Sequence, residues 1–212
     1  MAVTLTVTAS SSRETMRMAE LNPPCRPRLV ALAGSPRRHG NTEVLLDEAM
    51  AAAGADPADK IVLAELEIGG CRACDACKHG PCPLDDDMQE LYPRLDAADV
   101  LLVASPVFFL ALSSQLKAVI DRCQLFWNRK QRLGPCPARP LRRGAFIAVG
   151  ATRGDRLFQG CRQTMRIWFD TLDVEYREEL LVRGVDARGA IRSHADALRQ
   201  ARALGETLTC GL

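Results

Sequence analysis

The feature that most limits the fold is a short apolar run, a small polar turn and an amphipathic stretch in direct succession over residues 29–48. Leu29, Val30, Ala31, Leu32 and Ala33 carry no polar side chain, as a central strand buried on both faces requires. Gly34 ends the run, and residues 35–42 (Ser-Pro-Arg-Arg-His-Gly-Asn-Thr) make the turn. Val44, Leu45, Leu46, Ala49 and Met50 recur at helical spacing, which predicts a helix over residues 42–53. Such a turn aims the free N–H groups of the new helix at one spot. Ser35, Arg37, Arg38, Asn41 and Thr42 add hydroxyls, an amide and positive charge there, a set suited to a phosphomonoester. The turn has neither Gly-x-Gly-x-x-Gly nor Gly-Lys-Ser/Thr, so it is not a dinucleotide fingerprint or a Walker loop. A helix start merely capped by Asn41 and Thr42 is the plainer alternative.

The same alternation continues along the chain. Residues 61–66 and 100–104 read as strands, the second being the clearest buried run. A helix is expected from about Ser113 to Trp127, with Leu116, Val119, Ile120 and Cys123 inward. Residues 145–149 give a strand, 158–172 a helix, 174–182 a last strand and 194–208 a closing helix. Strands that alternate with helices imply a parallel sheet covered on both faces. Five strands favour the flavodoxin-like order 2-1-3-4-5, a three-layer α/β sandwich with its ligand at the carboxyl ends of the strands. The turns expected there are 35–42, 105–110 and 151–155. Pro106, Val107, Phe108 and Phe109 offer backbone donors and an aromatic wall for a flat ring.

These residues carry a resemblance. Gly34-Ser35-Pro36-Arg37-Arg38-His39-Gly40-Asn41-Thr42, Ser105-Pro106-Val107-Phe108-Phe109 and the run 115–122 resemble the NADPH-dependent FMN reductase superfamily of flavodoxin-like proteins. The resemblance covers Arg28 to about Leu208. It implies FMN, with its phosphate at Ser35, Arg37, Arg38, Asn41 and Thr42. It also implies that Pro106, Val107, Phe108 and Phe109, with Thr152, Arg153 and Gly154, border the isoalloxazine. Family members commonly have Tyr where this chain has Phe108.

Cys71, Cys74, Cys77 and Cys82 crowd one loop, the last of them before Pro83. Three cysteines at spacing three and a fourth five residues on resemble a [4Fe–4S] ligand run. Thiolates suit iron and zinc alike, but structural zinc usually draws two separated Cys-x-x-Cys pairs. Free or redox-active thiols are the remaining reading. The motif, placed just before Asp85, Asp86 and Asp87, resembles the iron-sulfur flavoprotein branch of the superfamily. That branch implies Cys71, Cys74, Cys77 and Cys82 as ligands and an electron-transferring homodimer or homotetramer. The other cysteines, Cys25, Cys123, Cys136, Cys161 and Cys210, are expected as small buried hydrophobes.

A net charge of +2 over 212 residues argues against a dedicated nucleic-acid binder. No apolar run reaches the roughly 18 residues of a membrane span. The first residues show no clean secretory signal, so a cytoplasmic protein is the default. Residues 1–27, rich in Ser, Thr and Pro, are expected to form a flexible arm before one domain at 28–212, into which the cysteine loop 69–84 is inserted. Arg129, Lys130, Arg132, Arg139, Arg142 and Arg143 form a basic run, expected as a solvated face that can attract an acidic electron carrier or a cofactor phosphate.

The functional expectation is an FMN-dependent oxidoreductase that passes electrons between a reduced donor (NAD(P)H or ferredoxin) and an acceptor, protein or small molecule, through FMN and a [4Fe–4S] cluster. One rival is an NAD(P)H-dependent flavin or quinone reductase without a cluster. The other is a metal-stabilised interaction module with no turnover.

Overall fold

The computed structural model describes residues 27–134 and 141–211. The expected arm therefore falls almost wholly outside the described residues, as do Cys25, Cys136 and Arg139. The elements in order are β1 (Leu29–Ala33), α1 (Asn41–Ala52), β2 (Lys60–Val62), α2 (Met88–Ala97), β3 (Val100–Pro106), α3 (Ser114–Arg122), α4 (Gln124–Leu133), β4 (Arg143–Gly150), α5 (Gln159–Thr171), β5 (Glu175–Arg183) and α6 (Ala195–Thr209). The five strands pair in parallel in the order β2-β1-β3-β4-β5.

Alternate residues of each strand serve opposite cores, because side chains alternate along a strand. Val30, Leu32, Leu101, Val103, Phe146 and Ala148 pack with Met88, Leu95, Leu116, Val119, Met165 and Trp168 on one face. Leu29, Ala31, Ala33, Leu102, Ala104 and Ile147 pack with Leu45, Ala49, Ala201 and Leu204 on the other. This double burial explains the unbroken apolar runs of β1 and β3. On the second face α1 and α6 cross at Gly205, where a Cβ would lie 2.0 Å from the Ala49 carbonyl oxygen.

Two expected elements are shorter or broken. The second strand stops at Val62, and Leu63–Glu65 turn as a short 3₁₀ segment that leads into the cysteine loop. The long helix expected over residues 113–127 is two helices. The Cys123 amide bonds both the Ile120 and Val119 carbonyls (3.0 and 3.1 Å), which tightens the last turn and lets the chain change direction. The second of these helices runs on to Leu133.

The basic run is not one solvated face. Arg142 is buried, and its guanidinium donates to the Ala98, Leu95 and Leu172 carbonyls. Arg129 pairs with Asp96, and Lys130 with Asp170 and Asp173. Cys123 and Cys161 are buried as expected, but Cys210 is exposed beyond the last helix. No helix among the described residues is long and apolar enough to cross a membrane.

Candidate functional site: a cleft at the strand ends and a cysteine loop

The cleft begins where β1 and β3 end side by side. Gly34 N–H donates to the Ala104 carbonyl at 2.8 Å, and a Cβ on Gly34 would meet that same oxygen at 2.8 Å. Only glycine allows this approach. The Ser113 hydroxyl, which also caps α3, donates to the Gly34 carbonyl and fixes the exit direction. The turn then folds on itself. Arg37 N–H donates to Ser35 Oγ, and Ser35 Oγ donates to the Arg37 carbonyl, both at 3.1 Å. His39 takes a positive φ of 55°. Gly40 is the N-cap of α1 and offers no side-chain cap, so the first N–H groups of the helix open toward the cleft.

Glu43 lies behind this turn, with its side chain only 2% exposed. Burial pulls its pKa up, but the His39 amide, Arg38 and Lys60 outweigh burial and hold the carboxyl below its ordinary range. Arg38 is committed to this cluster through Glu43 and Glu65. The side chain of Asn41 spans the turn and the segment after β5. It donates to the Ala187 carbonyl (3.0 Å) and accepts from Ile191 N–H (3.2 Å).

The cleft holds about 200 Å³. Ser35, Arg37, Asn41 and Thr42 line it on one side, and Pro106, Val107 and Phe108 on the other. Phe108 and Ala111 exchange backbone hydrogen bonds (3.0 and 2.9 Å) around a tight tip. Phe109 and Leu110 at that tip have φ of 50° and 63°, a left-handed pair that costs non-glycine residues roughly 1–3 kcal/mol each. Phe109 is fully exposed there and does not line the cleft. Thr152, Arg153 and Gly154 are exposed and also stand outside the lining, which takes Ala151 from their segment.

Three lining residues escaped the sequence reading: Val185, Asp186 and Arg188, in the segment after β5. Arg188 donates to the Arg38 carbonyl at 2.6 Å and ties this segment to the turn after β1. The signal was present in Gly184 and Gly189 bracketing an Asp and an Arg at a strand-to-helix turn, and in the rule that places that turn at the same sheet edge.

The cysteine loop stands on α3 and α4. Arg122 at the end of α3 has a side chain only 1% exposed and reaches both feet of the loop. Its guanidinium donates to the Gly69 carbonyl (3.0 Å), to the Leu84 carbonyl (3.4 Å) and to the Asp86 carboxylate. Asp86 accepts from Gly69 N–H (3.0 Å) and Met88 N–H (3.1 Å), and Asp87 accepts from Glu67 N–H (2.6 Å). Asp86 and Asp87 thus close the loop. Burial raises the Asp86 pKa, but Arg122 and the two amides more than offset it and leave it lowered.

Ala73 and Asp75 flank Cys74 with φ of 49° and 62°, and Cys71, Cys74, Cys77 and Cys82 all line one small cavity together with Arg122 and Gln124. Asn128 Nδ2 donates to Cys77 Sγ (3.1 Å), and Ala73 N–H to Cys71 Sγ (3.5 Å). Four soft donors facing one space, two already accepting N–H groups, form the donor set that an iron-sulfur cluster takes. Among the described residues, however, no three His, Cys, Asp or Glu side chains stand close enough together to hold a metal ion.

The family profile of the NADPH-dependent FMN reductases matches residues 27–179. The chain belongs to this family. Proteins similar to it include iron-sulfur flavoproteins. It is 37% identical over 129 residues to an iron-sulfur flavoprotein of Methanocaldococcus jannaschii (59% of this chain, 63% of that protein). It is 33% identical over 129 residues to one of Methanosarcina thermophila (59% and 64%). The match therefore spans just under two thirds of these relatives' length. Among solved structures, an NAD(P)H:quinone oxidoreductase from Methanothermobacter marburgensis aligns with TM-score 0.62 at 18% identity, covering 85% of this chain and 94% of that one. The Trp repressor binding protein from Bacillus subtilis aligns with TM-score 0.58 at 21% identity, covering 83% and 96%. These two likenesses establish the flavodoxin-like fold that the family shares.

Proposed function

We propose that the protein is an FMN-dependent oxidoreductase of the cytoplasm that carries electrons from a reduced donor, NAD(P)H or ferredoxin, to an acceptor through FMN and a [4Fe–4S] cluster. The observation that carries the reading is the uncapped start of α1, with Arg37 beside it, lining one cleft with Pro106, Val107 and Phe108. Ser35, Arg37, Asn41 and Thr42 hold the FMN phosphate, with Arg38 adding charge from behind through the Glu43 cluster. Pro106, Val107 and Phe108 flank the ring, with Ala151 leading to Thr152, Arg153 and Gly154 at its edge and Phe109 on the exposed tip beside it. Bound FMN supplies the chemistry, accepting two electrons with a proton as hydride or passing electrons singly. The residues of the chain orient it, exclude water from one face and place N–H groups beside it. Cys71, Cys74, Cys77 and Cys82 are the cluster ligands, with Arg122 as the buried positive charge at their side. The exposed apolar tip of Phe108, Phe109 and Leu110 beside the cleft supports a homodimer or homotetramer in which a second copy covers it.

Anaerobic purification tests the reading. Flavin absorbance, a broad bleachable shoulder and about four iron atoms per chain are the expected result. A colourless protein that takes up neither FMN nor iron on reconstitution would overturn it. A second reading, a flavin or quinone reductase without a cluster, is favoured by the separation of the thiols in this structure. Yellow protein that stays free of iron after anaerobic reconstitution selects it.

A further inference from the structure

We infer that the groove between α5 and the edge strand β5 seats the phosphates of a nicotinamide dinucleotide, an inference that rests on the donor proposed above. The groove encloses about 480 Å³, and Arg156, Arg162, Arg166 and Arg183 line it with Gln159 and Gln163. These guanidiniums come from three places, the loop after β4, one face of α5 and the end of β5, and meet at one concavity. Arg162 is held by Glu179. Arg183 lies 5.1 Å over the Phe158 ring and donates to the Asp155 carbonyl at 3.3 Å. Arg156 and Arg166 enter none of the ion pairs among the described residues.

A solvated helix face explains this poorly. Arg162 and Arg166 are four apart on α5, where like charges repel. Counting Asp155 and Glu179 as the facing carboxylates, the groove keeps an excess of two positive charges, as large as the net charge of the whole chain. The arginine fork matches phosphate oxygens two at a time. The position fits as well. Ala151 lines the cleft and Asp155 and Arg156 line the groove, while Arg183 lines the groove and Val185 and Asp186 line the cleft. The two sites thus share both connecting segments, and a ligand with its nicotinamide at the cleft extends its phosphates into the groove.

The test uses the full chain loaded with FMN and the Arg156→Gln/Arg166→Gln variant, with both side chains exposed so that folding is not at issue. The KM for NADPH should rise roughly tenfold or more with kcat little changed. The dissociation constant for adenosine 2′,5′-bisphosphate should rise in parallel, and its steep salt dependence should flatten. FMN affinity should stay the same. Unchanged KM and bisphosphate binding overturn the inference. An FMN-loaded protein that NADPH does not reduce overturns it too, while leaving the flavoprotein reading intact. A variant impaired only with reduced ferredoxin gives the groove to a carrier protein instead. A chain that binds no FMN defeats the parent reading, and bisphosphate binding then decides the groove by itself.

Discussion

Arg122 and Asp86 form an ion pair across 36 residues of sequence, with side-chain exposures of 1% and 16%. Between them they hold Gly69 and Leu84, the two feet of the cysteine loop. The pair is a clasp, and its energetics make it the most exposed point of the design to mutation.

Breaking a buried pair by removing one partner costs roughly 3–5 kcal/mol, because the other charge is left buried. Arg122→Met should therefore lower the urea midpoint strongly and open residues 69–84 to proteolysis. Arg122→Met/Asp86→Leu should recover much of the loss. A single variant of unchanged midpoint would show that the clasp contributes nothing.

The clasp also sets an acid limit. Asp86 and Glu43 both have lowered folded pKa values. Their contribution is fully present above the ordinary carboxylate range and drains away as pH falls through the lowered folded values. Thermal unfolding followed from pH 7 downward should show Tm falling on the acid side. Asp86→Asn should flatten that limb at lower overall stability.

Arg37 and Asn41 line the same cleft but differ in what else they do. Arg37 is exposed, and its side chain makes no hydrogen bond among the described residues, whereas the Asn41 amide is tied to Ala187 and Ile191. Arg37→Ala should weaken FMN by roughly tenfold or more, the worth of a charge-assisted hydrogen bond, with apo stability unchanged. Asn41→Ala should weaken FMN and also lower the Tm of the apo protein. Flavin fluorescence titration and calorimetry on both variants separate the two effects.

The cysteines should react in two classes. The thiolate is the nucleophile, and burial pushes Cys123 up to about 12 and Cys161 to about 11. Cys71, Cys74 and Cys210 are exposed. Of the cysteines among the described residues, maleimide labelling read by mass spectrometry should modify those three first and leave Cys123 and Cys161 untouched until the chain unfolds. Iron reconstitution should protect Cys71, Cys74, Cys77 and Cys82 together. Protection of only some of them would reject the ligand set.

Gly205→Ala should destabilise the fold by about 1–3 kcal/mol or more, because the new Cβ meets the backbone of Ala49 at 2.0 Å. Backbone cannot rotate aside as a side chain does, so α1, which follows the turn after β1, must shift. Weaker FMN binding should accompany the lower Tm.

The strand order and the position of the cleft were legible because apolar runs and turn chemistry are local in sequence. Leu29–Ala33 and Val100–Ala104 announce buried parallel strands whatever lies between them. What was not legible depended on tertiary partners. Nothing local marks Arg142 as a buried strut or Cys123 as the break between two helices, since each role is set by carbonyls that distant elements present. Arg38 and Arg37 are neighbours of one type, and only the location of Glu43 and Glu65 sends one of them behind the turn. The fourth segment of the cleft had a local signal in Gly184 and Gly189, but the bond from Arg188 to the Arg38 carbonyl depends on a distant element.

The feet of the cysteine loop are bonded to Arg122 across 53 and 38 residues. A nascent chain has made the four thiols of this loop well before α3 exists to receive them. The order of biosynthesis therefore leaves a thiol-bearing segment with no frame until Arg122 has been made and α3 has docked on the sheet, so the loop is closed by the finished fold rather than by the emerging chain.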